Sequence, residues 1–579
     1  MEYSIEKIVP FGVLITNTKN TGSIEQFDKE QLYRWISEYK VVLFRGYTQL
    51  PKQKLALFGQ RLGKPLQWPF GSINELKFKP DTKNYIFTNH KVPVHWDGAF
   101  RGTIPHIILF QCITAPKKED FGGTTFVNTE KILANASQAQ LDEWEKISIT
   151  YTTEKLAHYG GEITQKFIAK HEVEGQKVIR YAEVVDDINP VQLSVHGLDT
   201  KTFDTFESEI EHLLYSPENL YTHRWEDGDL VLADNHALLH GREAYKKQNE
   251  RHIQRINILH RPKNSLKRII ENSLTIRRKE FFVAELPIFI IPLLLSITAW
   301  NDFLKPSLYL GMIAIFMLFN IGDMINCYAD YKLDSIYKSH LSNAVYELGK
   351  KNVKWQIIVS GIVALVLTTI IAISTNQLYL IPFTLFGTFM GLQYSIKPFK
   401  FKSSGMFQFF CLWAIIFSGP MVYIAIITSG LPSLVYFLIF TFYGFHQMGI
   451  ILLNTAEDYP EDLSDNLNTV IVRLGLHRSM KIAFNIVLFS GIILKACMIY
   501  LFYELSVPIY IYVSILIFSV GWLKIVTEYK TIVTKLTTLS VDDAVKEIKK
   551  NGMKVPEWLK LGAYTFLVPI ITYFLWKIL

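Results

Sequence analysis

The stretch "RPKNSLKRIIENSLTIRRKEF" (Arg261–Phe281) decides how this 579-residue chain is organised, because the character of the sequence changes across it. Up to about Pro262 the chain is mixed, with regularly spaced charges and turn residues. After about Glu280 it becomes a series of long apolar runs separated by short polar segments. The stretch itself is basic, which suits the anionic surface of a lipid bilayer. A chain of this length is expected to hold more than one domain. We therefore read a soluble domain over 1–262, a basic juxtamembrane linker over 263–280 and a membrane domain over 281–579. A mildly positive mean hydropathy is what averaging two such halves gives.

Downstream, taking about 20 apolar residues as one bilayer crossing, the sequence holds roughly nine spans. Their limits are near 281–301, 306–328, 354–375, 377–394, 405–428, 431–453, 480–503, 505–525 and 560–578. The connections alternate in charge. Those after the second, fourth, sixth and eighth spans carry Lys332, Lys338, Lys350, Lys351 and Lys354, then Lys397, Lys400 and Lys402, then Arg473, Arg478 and Lys481, then lysines from Lys530 to Lys560. The connections "TNQ", "TSGLPS" and "YELSVP" carry none, and the first has only Lys305. The positive-inside rule makes the lysine-rich side cytoplasmic. The soluble domain precedes the first span and is expected on that same side, at the inner membrane if the source is bacterial. The net charge of +7 is modest, its placement matters more than its size, and no nucleic-acid partner is expected. Cys112, Cys327, Cys411 and Cys497 are too scattered for a zinc site or a disulfide framework. The opening "MEYSIEKIVPFGVLI" lacks a basic segment followed by a long apolar core, so no cleaved signal peptide is expected.

Two acidic constellations stand out in the membrane half. In "NIGDMINCYADYKLD", Asn326, Asp330 and Asp334 recur every four residues; in "NTAEDYPEDLSDNLNT", Asn454, Asp458 and Asp462 do the same. On a continuous helix each such step advances about 40°, which puts the three side chains on one face. Carboxylates at a membrane boundary are costly unless they serve a cation or a partner. Two facing sets of hard oxygen ligands are what Mg²⁺ ions bridging a diphosphate require. The bland alternative is a pair of solvated acidic loops, which the repeated spacing disfavours. With "YSIKP" (Tyr394–Pro398) between them, these segments resemble the UbiA-type intramembrane prenyltransferases over about residues 280–579. The resemblance implies that Asn326, Asp330, Asp334, Asp458 and Asp462 hold Mg²⁺ and that Asn454 helps to bind an isoprenyl diphosphate. Lys397 and Arg473 add positive charge at that diphosphate or serve topology alone. Cys327 departs from the pattern, since many members carry an aspartate there.

Upstream, "VPVHWDGAF" (Val92–Phe100) offers His95 and Asp97, two ligands of a possible metal. Non-haem iron sites of the two-histidine, one-carboxylate type need a third. The segment "GDLVLADNHALLHGREAY" supplies two candidates, His236 and His240, after an apolar strand. Arg251 follows in "ERHIQRINILHR", where Ile253, Ile256 and Ile258 indicate another strand. An arginine there can hold the distal carboxylate of 2-oxoglutarate through two hydrogen bonds, and "GGTT" (Gly122–Thr125) adds a hydroxyl.

Together with "VVLFRGY" (Val41–Tyr47), these pieces resemble the TauD/TfdA group of Fe(II)/2-oxoglutarate dioxygenases across nearly all of residues 1–262. The resemblance implies a double-stranded β-helix (jelly roll, mainly β with flanking helices). It implies His95, Asp97 and His240 as iron ligands, Thr125 and Arg251 as 2-oxoglutarate ligands, and Arg255 on that cosubstrate or on the substrate. His236 remains a rival to His240, although its distance to Arg251 is wrong for the group. His158, His171 and His223 read as polar surface or core residues. Within the group the match is closest to the branch that modifies amino-acid-derived isonitriles by desaturation or hydroxylation.

The fold class expected is thus a jelly roll followed by an all-α bundle of about nine transmembrane helices. The function expected is a bifunctional membrane-bound enzyme. Its soluble half uses Fe(II), 2-oxoglutarate and O₂; its membrane half uses Mg²⁺ to pass an isoprenyl group to an acceptor, usually aromatic in this family. His95, Asp97, His240, Asp330 and Asp458 are the expected catalytic centre. Two alternatives stay open: a prenyltransferase with a non-catalytic regulatory or binding domain, and a transporter or lipid-binding protein with an attached oxygenase.

Overall fold

The computed structural model describes residues 2–19, 22–68, 71–80, 82, 84–156, 159–185, 188–198, 200–246, 251–262, 265–464, 466–552 and 554–579. His158 lies outside the described residues. Two compact units emerge: Met1–Ser265 with Tyr331–Asn343, and Leu266–Asp330 with Ala344–Leu579.

The first unit is mainly β, with flanking helices, as the sequence leads one to expect. Its larger sheet runs in the order Tyr3–Lys7, Val13–Asn17, Val41–Arg45, Leu230–Asp234, Ile107–Thr114, His252–Leu259 and Lys64–Pro65, with Asn74–Lys77 also paired to His252–Leu259. The smaller sheet orders Leu220–His223, Thr124–Asn128, Leu238–Arg242 and Val92–His95. Val13–Asn17 and Val41–Arg45 pair in parallel; the other neighbours in these two sheets pair antiparallel.

Side chains alternate across a strand, and that period of two builds both layers of the core. On His252–Leu259, Ile256 and Ile258 pack with Leu55, Phe58 and Leu62 of the helix Lys52–Leu62. Ile253 points the other way and joins Phe110, Phe126, Val231 and Leu238 between the two sheets. Arg255 and Asn257 have the parity of Ile253, so they face the space between the sheets. Tyr331–Asn343 packs with this unit through polar groups: Gln60 Nε2 donates to Ser342 Oγ (3.0 Å) and Ser72 Oγ to the Ser335 carbonyl (2.8 Å).

The second unit is helical. Among the described residues, seven helices are long and apolar enough to cross a membrane: Pro306–Ala329, Lys350–Ser374, Met406–Ser429, Leu434–Glu457, Leu476–Glu504, Ile509–Leu536 and Val555–Ile578. Phe282–Ser296, with 15 residues, and Leu380–Ser395, with 16, match the other two expected spans. At 1.5 Å per residue both fall short of a hydrocarbon core about 30 Å thick. Pro287 and Pro292 interrupt the first of them. Trp413–Ser418 forms a π-helical turn just before Pro420, whose ring cannot join an α-helical ladder.

The two acidic triplets do not lie on continuous helices. Pro306–Ala329 ends with Asp330 as its C-terminal cap, and a new helix starts at Tyr331. Leu434–Glu457 likewise ends with Asp458 as cap before the helix Tyr459–Ser464. The shared-face expectation therefore fails beyond each cap, and the middle aspartates occupy equivalent helix ends instead.

Candidate functional site

In the first unit His95 and His240 are direct cross-strand neighbours, their ring centroids 4.5 Å apart. Asp97 follows on the turn, with its Oδ1 3.8 Å from His95 Nε2 and its Oδ2 3.8 Å from His240 Nε2. One ligand atom from each of the three lies within 4.8 Å of the other two. Gly98 makes the turn possible: its φ is +97°, and a Cβ there would meet the Thr103 carbonyl at 2.5 Å. Asn235 fixes the Asp97 backbone from both sides, accepting from its N–H at 2.9 Å and donating to its carbonyl at 3.1 Å.

The protonation states suit a cation. His95 Nδ1 lies 2.8 Å from the Pro93 carbonyl, so it carries the hydrogen and Nε2 faces Asp97 as a lone pair. Burial lowers the His95 imidazole and pushes His240 down to about 3, with His95 adding to the effect on His240. Both rings are neutral at physiological pH. His240 Nε2 is buried without a hydrogen-bond partner. Burial acts to raise the Asp97 carboxyl, but Arg255 first, then His240 and His95, hold it below the usual carboxylate range. Arg255 Nη1 sits 3.0 Å from Asp97 Oδ2, and Asn257 Nδ2 donates to the same oxygen at 3.0 Å.

Arg251 is 3% exposed and donates to the Gly122 carbonyl (2.9 Å) and to Thr124 Oγ1 (3.3 Å). Burial, then the charge of Arg242, lowers it to about 9. A buried cation held only by neutral oxygens among the described residues is an anion site in waiting. A cavity of about 280 Å³ opens beside His95, Asp97 and Arg255, walled by Tyr85, Trp96 and Tyr151.

In the second unit Asp330 Oδ2 accepts from Lys402 Nζ (2.6 Å) and from Asn326 Nδ2 (3.1 Å). Burial acts to lower the Lys402 ammonium, yet Asp330 and, more weakly, Tyr394 and Asp462 raise it. Both acidic segments thus act on one lysine. A second cavity, of about 460 Å³, runs from Asn326 and Tyr394 past Asp323 and Glu285 into an apolar wall that includes Phe383 and Trp413.

The family model for the taurine catabolism dioxygenase TauD, TfdA family matches residues 5–257, and that for the UbiA prenyltransferase family matches residues 286–535. The 3-((Z)-2-isocyanoethenyl)-1H-indole synthase of Fischerella ambigua is 39% identical over 262 residues, covering 45% of this chain and 96% of that protein. Tyrosine isonitrile desaturases of Pseudomonas aeruginosa and Erwinia amylovora are 31% and 30% identical, covering 43% and 44% of this chain and 87% and 88% of those proteins. The chain is a TauD/TfdA–UbiA fusion. It joins an oxidoreductase domain to a transferase domain.

The structure places the other residues of the TauD/TfdA domain as follows. Thr124, not Thr125, lies beside Arg251. Thr125 occupies the opposite face of its strand, where a Cβ on Gly241 would come within 2.9 Å of its hydroxyl. Arg255 touches Asp97. His236 packs with His106 and His171 in a separate buried group, not with His95 and Asp97. His171 and His223 are core residues bound to Asp234 and Asp229. Sequence reasoning missed Asn235, Asn257 and Arg242; the first two were legible only as polar residues inside apolar runs.

In the UbiA domain Asn326, Asp330, Asn454, Asp458, Asp462, Lys397 and Arg473 all belong to the second unit, while Asp334 falls in the segment grouped with the first. Asn454, Lys397 and Arg473 are exposed and Asp462 is buried. Lys402, which the sequence offered only as a topological charge, is the cation that meets Asp330.

Proposed function

We propose that the chain is a bifunctional membrane-bound biosynthetic enzyme. It oxidises an isonitrile derived from an aromatic amino acid and transfers an isoprenyl group to an aromatic acceptor. The observation that carries the first half is the convergence of two neutral imidazoles and one carboxylate beside a cavity lined with aromatic rings.

His95, Asp97 and His240 fit Fe(II): the donor set is right for a non-haem site, and the buried Nε2 of His240 lacks a partner. Bound iron, with 2-oxoglutarate and O₂, supplies the oxidising equivalents for hydroxylation or desaturation. In a desaturation the substrate loses two hydrogens while 2-oxoglutarate and O₂ become succinate, CO₂ and water. Arg255 and Asn257 orient the Asp97 carboxylate, and the Pro93 carbonyl fixes the His95 ring. Arg251 anchors the distal carboxylate of 2-oxoglutarate, with the "GGTT" hydroxyls, Thr124 foremost, beside it. Tyr85, Trp96 and Tyr151 exclude water and pack the substrate ring. The indole and tyrosine isonitrile chemistry printed for the relatives supports this substrate class.

In the membrane half Asn326, Asp330, Asp458 and Asp462 would hold Mg²⁺, and Asn454, Lys397, Arg473 and Lys402 would bind the diphosphate. Bound Mg²⁺ offsets charge developing on the leaving diphosphate. The apolar wall of the larger cavity shelters the allylic cation from water. Both sites face the cytoplasmic side by the lysine asymmetry.

The test supplies the purified full-length chain with Fe(II), 2-oxoglutarate and the isonitriles of tyrosine and tryptophan. Succinate formed in step with an oxidised isonitrile is expected. Succinate release that no aromatic isonitrile stimulates contradicts the substrate assignment.

A further inference from the structure

The helix Leu266–Thr275 lies in the stretch that separates the two halves of the sequence, and its side chains are distributed in an unusual way. At about 100° per residue, Arg268 and Asn272 fall on one side, and both bind Glu347 of the same unit, at 2.7 Å each. Just beyond the helix, Ile276 is fully buried and Arg277 Nη1 donates to Gln356 Oε1 at 2.8 Å. The protein-facing side of this helix is therefore polar. About 180° around from it runs an apolar row, Leu266, Ile270 and Leu274, at positions i, i+4 and i+8, with Ile269 at its flank. These four are 73%, 51%, 38% and 47% exposed. Lys267 and Glu271 are exposed along the border of that row.

A water-soluble helix places its apolar stripe inward and its charges outward. Here polar contacts tie the helix to the protein and the apolar stripe is left outside. We propose that Leu266–Thr275 is an in-plane interfacial helix, whose row Leu266, Ile270 and Leu274 inserts at the boundary between lipid headgroups and acyl chains. Three observations select the bilayer as occupant. The helix precedes the apolar helix Phe282–Ser296 by six residues. The exposed Lys267 and Lys279 complement anionic headgroups. Val283 and Leu286, at the start of that apolar helix, are likewise exposed, 59% and 48%.

The inference rests on the reading of the chain as an integral membrane protein, and the test separates the two. The four native cysteines are buried, so a nitroxide can be placed selectively at Leu266→Cys, Ile270→Cys, Leu274→Cys and Glu271→Cys. Val366→Cys, on the membrane helix Lys350–Ser374 and 51% exposed, serves as reference. The full-length protein is reconstituted in vesicles of phosphatidylcholine and phosphatidylglycerol, and collisions with oxygen and with a water-soluble nickel chelate are compared. The oxygen-to-nickel ratio is expected severalfold higher at 266, 270 and 274 than at 271, approaching that at 366. Nickel access at 270 equal to that at 271 overturns the proposal. So does spin–spin broadening at 270 that dilution with unlabelled protein removes, which identifies a second copy as the occupant. Low oxygen access at 366 overturns the membrane reading itself.

Discussion

Arg255 Nη1 lies 3.0 Å from Asp97 Oδ2, joining a residue of the last strand of the dioxygenase domain to the carboxylate of the candidate iron site. The pair is nearly buried, and Arg255 is the largest influence that opposes the effect of burial on Asp97. Such supporting contacts tune ligand basicity and orientation, and their loss typically costs about 10- to 100-fold in metal affinity. Arg255→Gln should weaken Fe(II) binding by that order.

The same pair sets a pH dependence. The folded Asp97 pKa is depressed, so its carboxylate survives to lower pH than a free one. Without Arg255 the pKa rises, and protons compete with metal earlier on acidification. The acid limb of metal binding, followed by titration with Fe(II) or Co(II) under argon, should move to higher pH in Arg255→Gln and stay near wild type in Arg255→Lys.

Arg251 and the two threonines of "GGTT" separate by position. Hydrogen bonds to charged groups contribute about 1.5–3 kcal/mol, so Arg251→Gln should raise the KM for 2-oxoglutarate roughly tenfold to a hundredfold. Thr124→Val, which removes the hydroxyl 3.3 Å from Arg251 Nη2, should raise it by less. Thr125→Val should change it least; the succinate-forming rate at varied 2-oxoglutarate measures all three. An order reversed between the threonines restores the sequence expectation for Thr125.

These threonines show where sequence reading stops. His95, Asp97 and His240 were legible because two are fixed by local spacing, and the third follows an apolar strand that could only be buried. Which of Thr124 and Thr125 faces Arg251 depends on strand parity, and a shift of one residue reverses it. Arg255 was legible as a site residue, but its contact with Asp97 requires two strands distant in sequence to be paired. In the membrane half the four-residue spacing located both acidic segments. It also implied continuous helices, whereas the chain turns at Asp330 and at Asp458. Lys402 was hidden among lysines that serve topology, and only its 2.6 Å contact with Asp330 sets it apart.

Lys402 carries its own prediction. Removing the ammonium beside Asp330 withdraws positive charge from the place where a diphosphate is expected, and takes away the cation that Asp330 contacts. Lys402→Met should reduce prenyl transfer by about two orders of magnitude, in the range typical for loss of one preorganised electrostatic group. Lys402→Arg should recover part of it. Succinate formation by the dioxygenase domain should be unaffected in both, which a paired assay on one preparation checks.

The central claim is that one chain houses two independent reaction centres, His95–Asp97–His240 and the paired acidic segments around Asp330 and Asp458. The most direct measurement compares wild type, His240→Ala and Asp330→Ala as full-length proteins, following succinate from 2-oxoglutarate and diphosphate from a prenyl diphosphate in the same samples. The account predicts that His240→Ala loses isonitrile-dependent succinate and keeps Mg²⁺-dependent diphosphate release, with the reverse for Asp330→Ala. Substrate-coupled succinate that persists in His240→Ala would contradict it.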